Sequence, residues 1–231
     1  MRRRKQQPLK TIQAVAPGYV LRFDIPGLPY QEPAFSSIRQ RFSGEEDPDV
    51  IGIAYLLTGE EYERLLQSEG GRDGGYLEID IEVKPLADLT NENAETIKCK
   101  SLSTKTPREN PCPLPSARYM SLIRGGAAEH KFPAEYQEYL ANLPIYTISS
   151  WTTEIGRILF LLVWVPIVLP IFGLQAAFGK SGKVPGWIRW LQIRVFKAMW
   201  FAHDKVFSPL FGPGDITSEK EKLLRTVSKG S

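Results

Sequence analysis

The chain has 231 residues, of which 42% are hydrophobic and 24% charged, so one sizeable folded domain plus an appendage is expected. Residues 1–150 carry 18 basic and 21 acidic side chains, a net charge of −3, whereas residues 151–231 carry 11 and 5, a net charge of +6. All nine tyrosines precede residue 150 and all five tryptophans follow it. Two regions that meet different surroundings are the simplest interpretation.

The N-terminal run Arg2–Lys5 is basic, but no apolar stretch of the kind found in signal peptides follows it. The run contains no aromatic residue, so a solvated terminus is expected and a nucleic-acid partner is not. Cys99 and Cys112 are the only cysteines, too few for a framework of spaced disulfides. Two free thiols are favoured over a disulfide between them.

The first half of the chain alternates strand signals with turn signals. Gly18–Phe23 alternates in hydrophobicity and predicts a strand. The segment 24–35 contains three prolines and predicts a constrained loop. Val50–Leu57 is a nearly continuous apolar run with β-branched residues, which predicts a buried strand.

Thr58 begins a predicted helix, because Thr58 and Glu61 have the spacing of a capping box. Gly70 and Gly71 are expected to stop this helix, since glycine tolerates the left-handed backbone of many helix ends. The stretch 76–83 then alternates apolar and mostly acidic residues, the clearest strand pattern in the chain.

Glu69 falls in the last turn of this helix or just past it. The negative end of the helix dipole lies there, and together with shielding from water it raises the pKa of a carboxyl group. A carboxylate closer to neutrality can accept a proton and return it. The alternative is an ordinary solvent-exposed glutamate at a helix end.

Residues 84–114 are polar and lack a firm periodicity, which predicts a long, partly mobile connection. Ser116 is expected to cap a second helix that loosens at two glycines, 125 and 126. Pro133 suits the first turn of a third helix, in which Tyr136, Leu140 and Leu143 form an apolar stripe.

Three blocks of sequence, in this order, resemble the γ-glutamylcyclotransferase family, and the first is similar to its fungal branch. They are APGYVLRFDIPGLPYQEPAFSSI (16–38), DVIGIAYLL with YERLLQSEGGRDGGYLEIDIEV (49–57 and 62–83), and PSARYMSLIRGGAAEHKFPAEYQEYL (115–140). The resemblance covers most of residues 1–150. It implies an α+β fold, a small mixed β-barrel flanked by helices, and it implies no metal or nucleotide cofactor.

The resemblance also implies a reaction and its site. The substrate's own α-amine would cleave a γ-glutamyl amide, closing 5-oxoproline and releasing the remaining amine. Glu69 falls on the family's catalytic glutamate, and Gly70 and Gly71 would let a substrate approach the backbone closely. Tyr76 and Tyr136 fall on tyrosines near the substrate cleft, although Tyr136 equally suits the apolar stripe of its helix.

One family motif is missing from the sequence: a Tyr-Gly-Ser-Asn loop, whose backbone N–H groups hold the substrate carboxylate and line the reacting carbonyl. Losing one such donor typically costs about 100- to 1000-fold in rate. The sequence therefore supports an active cyclotransferase and, as the alternative, an inactive or truncated module that keeps the scaffold.

The segment 158–178 has no charged residue over 21 positions, long enough to span a bilayer's hydrocarbon core. Pro166 and Pro170 favour a kink or a re-entrant hairpin, and a buried core helix is the alternative. Residues 186–207 interleave tryptophan and phenylalanine with arginine and lysine, which predicts an interfacial helix on anionic lipid; a groove for a partner helix is the alternative. His203 beside Asp204 suits a pair at the interface or, alternatively, a proton relay.

These patterns together predict three regions: a γ-glutamylcyclotransferase-like domain at 1–150, membrane-associated helices at 151–210 and a polar tail at 211–231. The expected partners are a small γ-glutamyl substrate and membrane lipid, the latter through residues 158–207. With a single span, the positive charge concentrated after the apolar segment would place residues 180–231 in the cytosol and residues 1–150 across the membrane. A hairpin dipping into the cytosolic leaflet is favoured instead, because it keeps both parts in the cytosol.

Overall fold

The computed structural model describes residues 8–68, 76–88, 95–105, 107–108, 112–179 and 184–217. They form an α+β fold, as expected. The strands are β1 (Lys10–Ala16), β2 (Tyr19–Leu28), β3 (Glu32–Gln40), β4 (Val50–Leu56), β5 (Tyr76–Pro85), β6 (Ile97–Thr104), β7 (Ile145–Thr147) and β8 (Asp215–Thr217). The helices are α1 (Gly59–Ser68), α2 (Ala117–Glu129), α3 (Ala134–Asn142), α4 (Trp151–Gly179), α5 (Gly186–Ala202) and α6 (Ser208–Phe211).

The chain divides into two compact units that interleave along the sequence. Unit 1 comprises residues 1–25, 35–112 and 121–141, and unit 2 comprises residues 26–34, 113–120 and 142–231. Unit 2 thus combines the C-terminal region with two short segments from the first half of the chain. The proposed three-region division at residues 150 and 210 stays a prediction.

An antiparallel sheet with strand order β4-β1-β5-β6 organises unit 1. β1 pairs with β4 along its whole length, and among the described residues it pairs with β5 at Ala14–Pro85 and Val15–Lys84. Because Pro85 has no N–H group, it cannot extend this ladder as a donor. In the described ranges these pairings are antiparallel and form an open sheet, so they do not form the expected small mixed β-barrel.

The core of this sheet follows the predicted alternation. Ile81 and Val83 are buried together with Ala14 and Ala16 of β1, while Glu82 between them is exposed. β4 has the predicted bounds to within one residue, but its side chains are mostly half-buried. The prediction of a buried strand was therefore wrong, because β4 is an outer strand of the sheet.

β6 was not predicted, and its residues lie within the stretch expected to be a mobile connection. It pairs with β5 along its length, from Tyr76–Thr104 to Val83–Ile97. The Lys100 ammonium lies 2.6 Å from Glu78 and 3.2 Å from Asp80 across the strand pair. Opposite charges therefore face each other across this strand pair. Because β6 lacks a clear apolar alternation, its sequence pattern does not reveal the strand.

The proline-rich segment is also more regular than expected. β2 and β3 form a two-stranded ribbon that includes Pro26 and Pro33, and only residues 29–31 lie between them. Tyr30 turns the chain with a φ angle of +63°, a conformation uncommon for a residue with a side chain. The predicted loop is therefore a hairpin, since a two-stranded ribbon leaves backbone positions where a missing N–H costs no hydrogen bond.

Both predicted helix caps are present. The Thr58 N–H donates to Glu61 Oε2 at 3.1 Å, and the Glu61 N–H donates to Thr58 Oγ1 at 3.2 Å, completing the capping box. Ser116 Oγ accepts from the Tyr119 N–H at 3.0 Å and so caps α2. α2 continues through both glycines without interruption.

α4 corrects the expectation of a re-entrant hairpin. It runs as one helix of 29 residues through Pro166 and Pro170. The two prolines are four residues apart, so they lie on one face, and both are exposed. The chain reverses direction only after α4, because α5 and the turn that follows it pack back along α4. The ring centroids of Phe172 and Phe196 lie 6.2 Å apart, and those of Phe160 and Phe207 lie 5.0 Å apart.

The core of unit 2 is aromatic. Tyr30, Phe160, Met199 and Trp200 are buried together with Val168. The Tyr30 hydroxyl donates to the Gly212 carbonyl at 2.8 Å, and the Trp200 indole N–H donates to the Gly27 carbonyl at 3.0 Å. The hairpin tip is thus held by residues more than 170 positions later.

His203 begins a π-helical turn, His203–Phe207, that follows α5. Its ring is buried, 4.8 Å from the Tyr30 ring and 5.3 Å from the Trp200 ring by centroid, and it bonds Asp204 at 2.9 Å. The predicted pair with Asp204 near a helix end is therefore present, but the histidine ring packs inside unit 2.

Candidate functional site

Glu69 directly follows Ser68, the last described residue of α1. Residues 69–75, including Gly70 and Gly71, lie outside the described residues, and so does the side chain of Tyr76. The catalytic and substrate-binding roles of these four residues stay predictions.

The two elements that bracket this segment are joined to each other within unit 1. Leu66, in the last turn of α1, is buried. The Tyr62 hydroxyl donates to Glu78 Oε2, so α1 is bonded to β5. Glu78 also accepts from Lys100 of β6 at 2.6 Å. Both ends of the connection that carries Glu69 are therefore anchored to the central sheet.

Tyr136 is buried on α3, with its ring centroid 6.2 Å from that of Phe132 and 5.7 Å from that of Tyr139. Burial raises the pKa of its phenol, and a hydrogen bond with the backbone of Ile51 acts in the opposite direction. The hydroxyl thus meets β4, and this contact anchors α3 on the sheet. Whether Tyr136 also contacts substrate stays a prediction.

Tyr139 is a neighbouring side chain that the sequence did not single out. Its hydroxyl donates to Asp47 Oδ1 at 3.3 Å, and burial followed by the Asp47 charge raises the pKa of the phenol well above its usual range. Tyr139 therefore stays protonated at neutral pH and acts as a donor. Its spacing of three residues from Tyr136 on one helix is the signal that predicts the shared face.

Among the described residues, no group of three or more histidine, cysteine, aspartate or glutamate side chains is suited to hold a metal ion. Cys99 and Cys112 form no disulfide, and burial raises the pKa of the Cys99 thiol.

One helix in the described ranges, Trp151–Phe178 within α4, is long and apolar enough to cross a membrane, judged by length and composition. Only 17% of its most apolar stretch is buried. A core helix of a globular protein would be mostly buried, so the alternative of a packed core helix is disfavoured. The cytosolic placement of residues 1–150 stays a prediction.

Two family models match the chain. One describes the AIG2-like family and matches residues 49–140, and the other describes the AclK C-terminal domain and matches residues 150–210. A solved structure titled gamma-glutamyl cyclotransferase is similar at 20% identity and a TM-score of 0.49, covering 60% of this chain and 76% of that one.

Curated relatives are similar along most of the chain. Gamma-glutamyl cyclotransferase gliK of Claviceps purpurea is 34% identical over 92% of this chain and 96% of the relative. The protein of the same name from Aspergillus fumigatus is 32% identical, over 87% and 79%. Gamma-glutamyl cyclotransferase aclK of Aspergillus oryzae is 32% identical, over 92% and 83%. The chain therefore belongs to the gamma-glutamyl cyclotransferase family of lyase-type enzymes, in the fungal branch that carries the AclK C-terminal domain.

Proposed function

We propose that this protein cleaves a γ-glutamyl amide, either glutathione or a γ-glutamyl conjugate, to 5-oxoproline and the released amine. The observation that carries the proposal is the similarity to three relatives named as gamma-glutamyl cyclotransferases, at 32–34% identity over 87–92% of this chain. The described sheet and helices supply the setting, with the candidate carboxylate directly after α1.

In the proposed reaction the substrate supplies its own nucleophile. The α-ammonium group gives a proton to Glu69, and the resulting amine attacks the γ-carbonyl carbon. The bond between that carbon and the amide nitrogen breaks, and the leaving amine takes the proton from Glu69. The second proton that the attacking nitrogen loses as the lactam forms also passes to the released amine, which leaves as an ammonium ion. A five-membered lactam forms, and holding both reacting groups in one molecule lowers the entropic barrier.

The position of Glu69 suits this role in two ways. The C-terminal end of α1 carries the negative end of the helix dipole, which disfavours the ionised carboxylate and favours uptake of a proton. The Tyr62–Glu78 contact and the buried Leu66 anchor the helix that presents it. A proton-transferring group of this kind contributes about 10²- to 10⁴-fold to the rate.

The second candidate function is a non-catalytic module with the same scaffold. The absence of a Tyr-Gly-Ser-Asn tetrapeptide from the 231 residues favours it, because backbone donors at the reacting carbonyl stabilise the transition state. An active enzyme without that loop would need other donors for the developing oxyanion.

The test replaces Glu69 by Gln in the full chain and measures 5-oxoproline release from glutathione and from γ-glutamylalanine by mass spectrometry. We expect kcat to fall about 10²- to 10⁴-fold, because the amide cannot carry the proton. Glu60→Gln is the matched control, since Glu60 is an exposed residue of the same helix whose ion pair with Arg64 lies at the surface.

Two results would count against the proposal, and they differ. Equal activity of the Glu69→Gln variant and the unaltered protein would remove Glu69 from the mechanism but keep the reaction. No 5-oxoproline from either substrate with the unaltered protein would favour the non-catalytic module.

A further inference from the structure

α4 carries more apolar side chains than unit 2 buries. From Ile158 to Phe178 the helix has no charged side chain, so it is apolar all round. Its buried positions form one stripe, at Thr153, Gly156, Phe160, Val168 and Ile171. A helix that is apolar on every face is typical of surroundings that exclude water on every face.

The remaining faces of α4 are exposed. Large apolar side chains between 37% and 66% exposed run from residue 158 to residue 178; they are Ile158, Leu159, Leu162, Val163, Ile167, Leu169, Phe172, Leu174 and Phe178. An exposed apolar surface of this extent typically marks contact with a membrane or with another protein.

α5 also divides into an inner and an outer face. Ile188, Met199 and Trp200 point into unit 2 and are buried. The outer face carries exposed Trp187, Trp190, Ile193 and Phe201, and among them the exposed cations Arg194 and Lys197. The Arg194 guanidinium lies 5.2 Å over the Trp190 ring. Tryptophan beside arginine and lysine is the pattern of a bilayer interface.

The charges of these faces decide between a lipid surface and a second copy of the chain. α5 contains three basic residues and no acidic one, and the uncharged part of α4 adds no counter-charge. In a two-fold pairing of the same faces, the cations of one copy would meet no carboxylate of the other. Anionic headgroups supply the missing negative charge while the acyl region accepts the apolar side chains.

We propose that the exposed faces of α4 and α5, here called the α4–α5 outer face, dock on the surface of an anionic bilayer. Tryptophan and phenylalanine enter the boundary between headgroups and acyl chains, and Arg194 and Lys197 contact lipid phosphate or carboxylate. This proposal does not depend on the reaction proposed for Glu69.

Sedimentation of the full chain with phospholipid vesicles tests the proposal. One set of vesicles is phosphatidylcholine alone, and the other contains about one third phosphatidylserine, which gives a negative surface potential. We expect stronger binding to the anionic vesicles, weakened by high salt. The double variant Arg194→Gln/Lys197→Gln should lower binding to anionic vesicles roughly 30-fold, the effect of two basic residues at such a surface, and leave binding to neutral vesicles unchanged.

A second pair of variants separates charge from apolar contact. Trp187→Ala/Trp190→Ala should lower binding to both kinds of vesicle. Lys10→Gln/Lys98→Gln is the matched control, since it removes two exposed cations of unit 1. It should bind like the unaltered protein, and circular dichroism melting verifies that each variant folds.

Three results would overturn the proposal. The first is no sedimentation with either kind of vesicle, and the second is equal loss of binding in the control pair. The third is a dimer that analytical ultracentrifugation detects and the tryptophan substitutions dissociate, in the absence of vesicle binding. That result would show that a second copy of the chain covers the α4–α5 outer face.

Discussion

In unit 1 two of the apolar residues that alternate along β5, Ile81 and Val83, are buried, and Glu82 between them is exposed; Leu77, near the start of the strand, is exposed. In unit 2 the apolar residues of α4 surround the helix, yet only the stripe that includes Phe160 and Val168 is covered. The sheet of unit 1 thus buries apolar side chains of its alternating pattern within the fold. In α4 of unit 2, many apolar side chains stay exposed, so the hydrophobic composition of that helix does not tell which side chains the fold buries.

The largest expected effect separates the two faces of α4. Phe160→Ala should lower the free energy of unfolding by about 3–5 kcal/mol, because it empties a fully buried site among Tyr30, Trp164 and Phe207. Leu162→Ala, two residues away and 66% exposed, should change it by less than about 0.5 kcal/mol. Chemical denaturation without lipid measures both, and equal costs would contradict the assignment of an inner and an outer face.

Two glycines of the same helix sharpen this contrast through changes of opposite sign. A Cβ at Gly156 would lie 2.4 Å from the Cβ of Phe211, which is close to the backbone of α6 and cannot simply rotate away. Gly156→Ala should therefore destabilise the protein by about 1–3 kcal/mol. Gly173 has nothing within 4 Å of the same position, so Gly173→Ala should stabilise it by up to about 1 kcal/mol. Thermal melting distinguishes the two, and a stabilised Gly156→Ala variant would disprove the close approach of α4 and α6.

Local signals were predictable from the sequence because their partners lie within a few residues. The capping box of Thr58 and Glu61 and the Ser116 cap each join groups three positions apart. The alternation of β5 is equally local, and it identified the strand that begins at Tyr76. The two described elements on either side of Glu69, α1 and β5, were therefore predictable without tertiary information.

Features held by distant partners were not predictable in the same way. In β6, Lys100 pairs with carboxylates about 20 residues earlier, and this partner is not visible in the pattern of β6 itself. The hairpin tip at Tyr30 is covered by Phe160 and bonded to Gly212, far along the chain. Likewise the contact between the Tyr136 hydroxyl and the backbone of Ile51 depends on how α3 packs against β4.

Tyr62 tests how far the anchoring of α1 in unit 1 affects the candidate carboxylate. Tyr62→Phe removes the hydroxyl that donates to Glu78 and should cost about 1 kcal/mol of stability. If α1 positions Glu69, kcat for 5-oxoproline release should fall several-fold while KM changes little, since alignment rather than binding is lost. Tyr55→Phe, on β4, is the matched control, and equal kinetics of the two variants would show that this contact serves stability alone.

The smallest expected effect concerns a charged turn of unit 1 and its response to pH. Glu45 accepts from the Arg39 guanidinium at 2.7 and 2.9 Å and from the Phe42 N–H at 3.1 Å. These contacts, of which the Arg39 hydrogen bond has the largest effect, lower the pKa of Glu45 from its ordinary value of 4.5 to about 2.

A carboxyl group with a lowered pKa in the folded state stabilises the protein above its unfolded pKa, and this contribution is lost as the pH falls. The difference in melting temperature between the unaltered protein and Glu45→Gln should therefore be largest above pH 4.5 and shrink towards pH 2. Glu46→Gln alters the exposed neighbour in the same turn and is the control. A difference for Glu45→Gln that stays constant across this range would show that the turn depends on the shape of the side chain rather than on its charge.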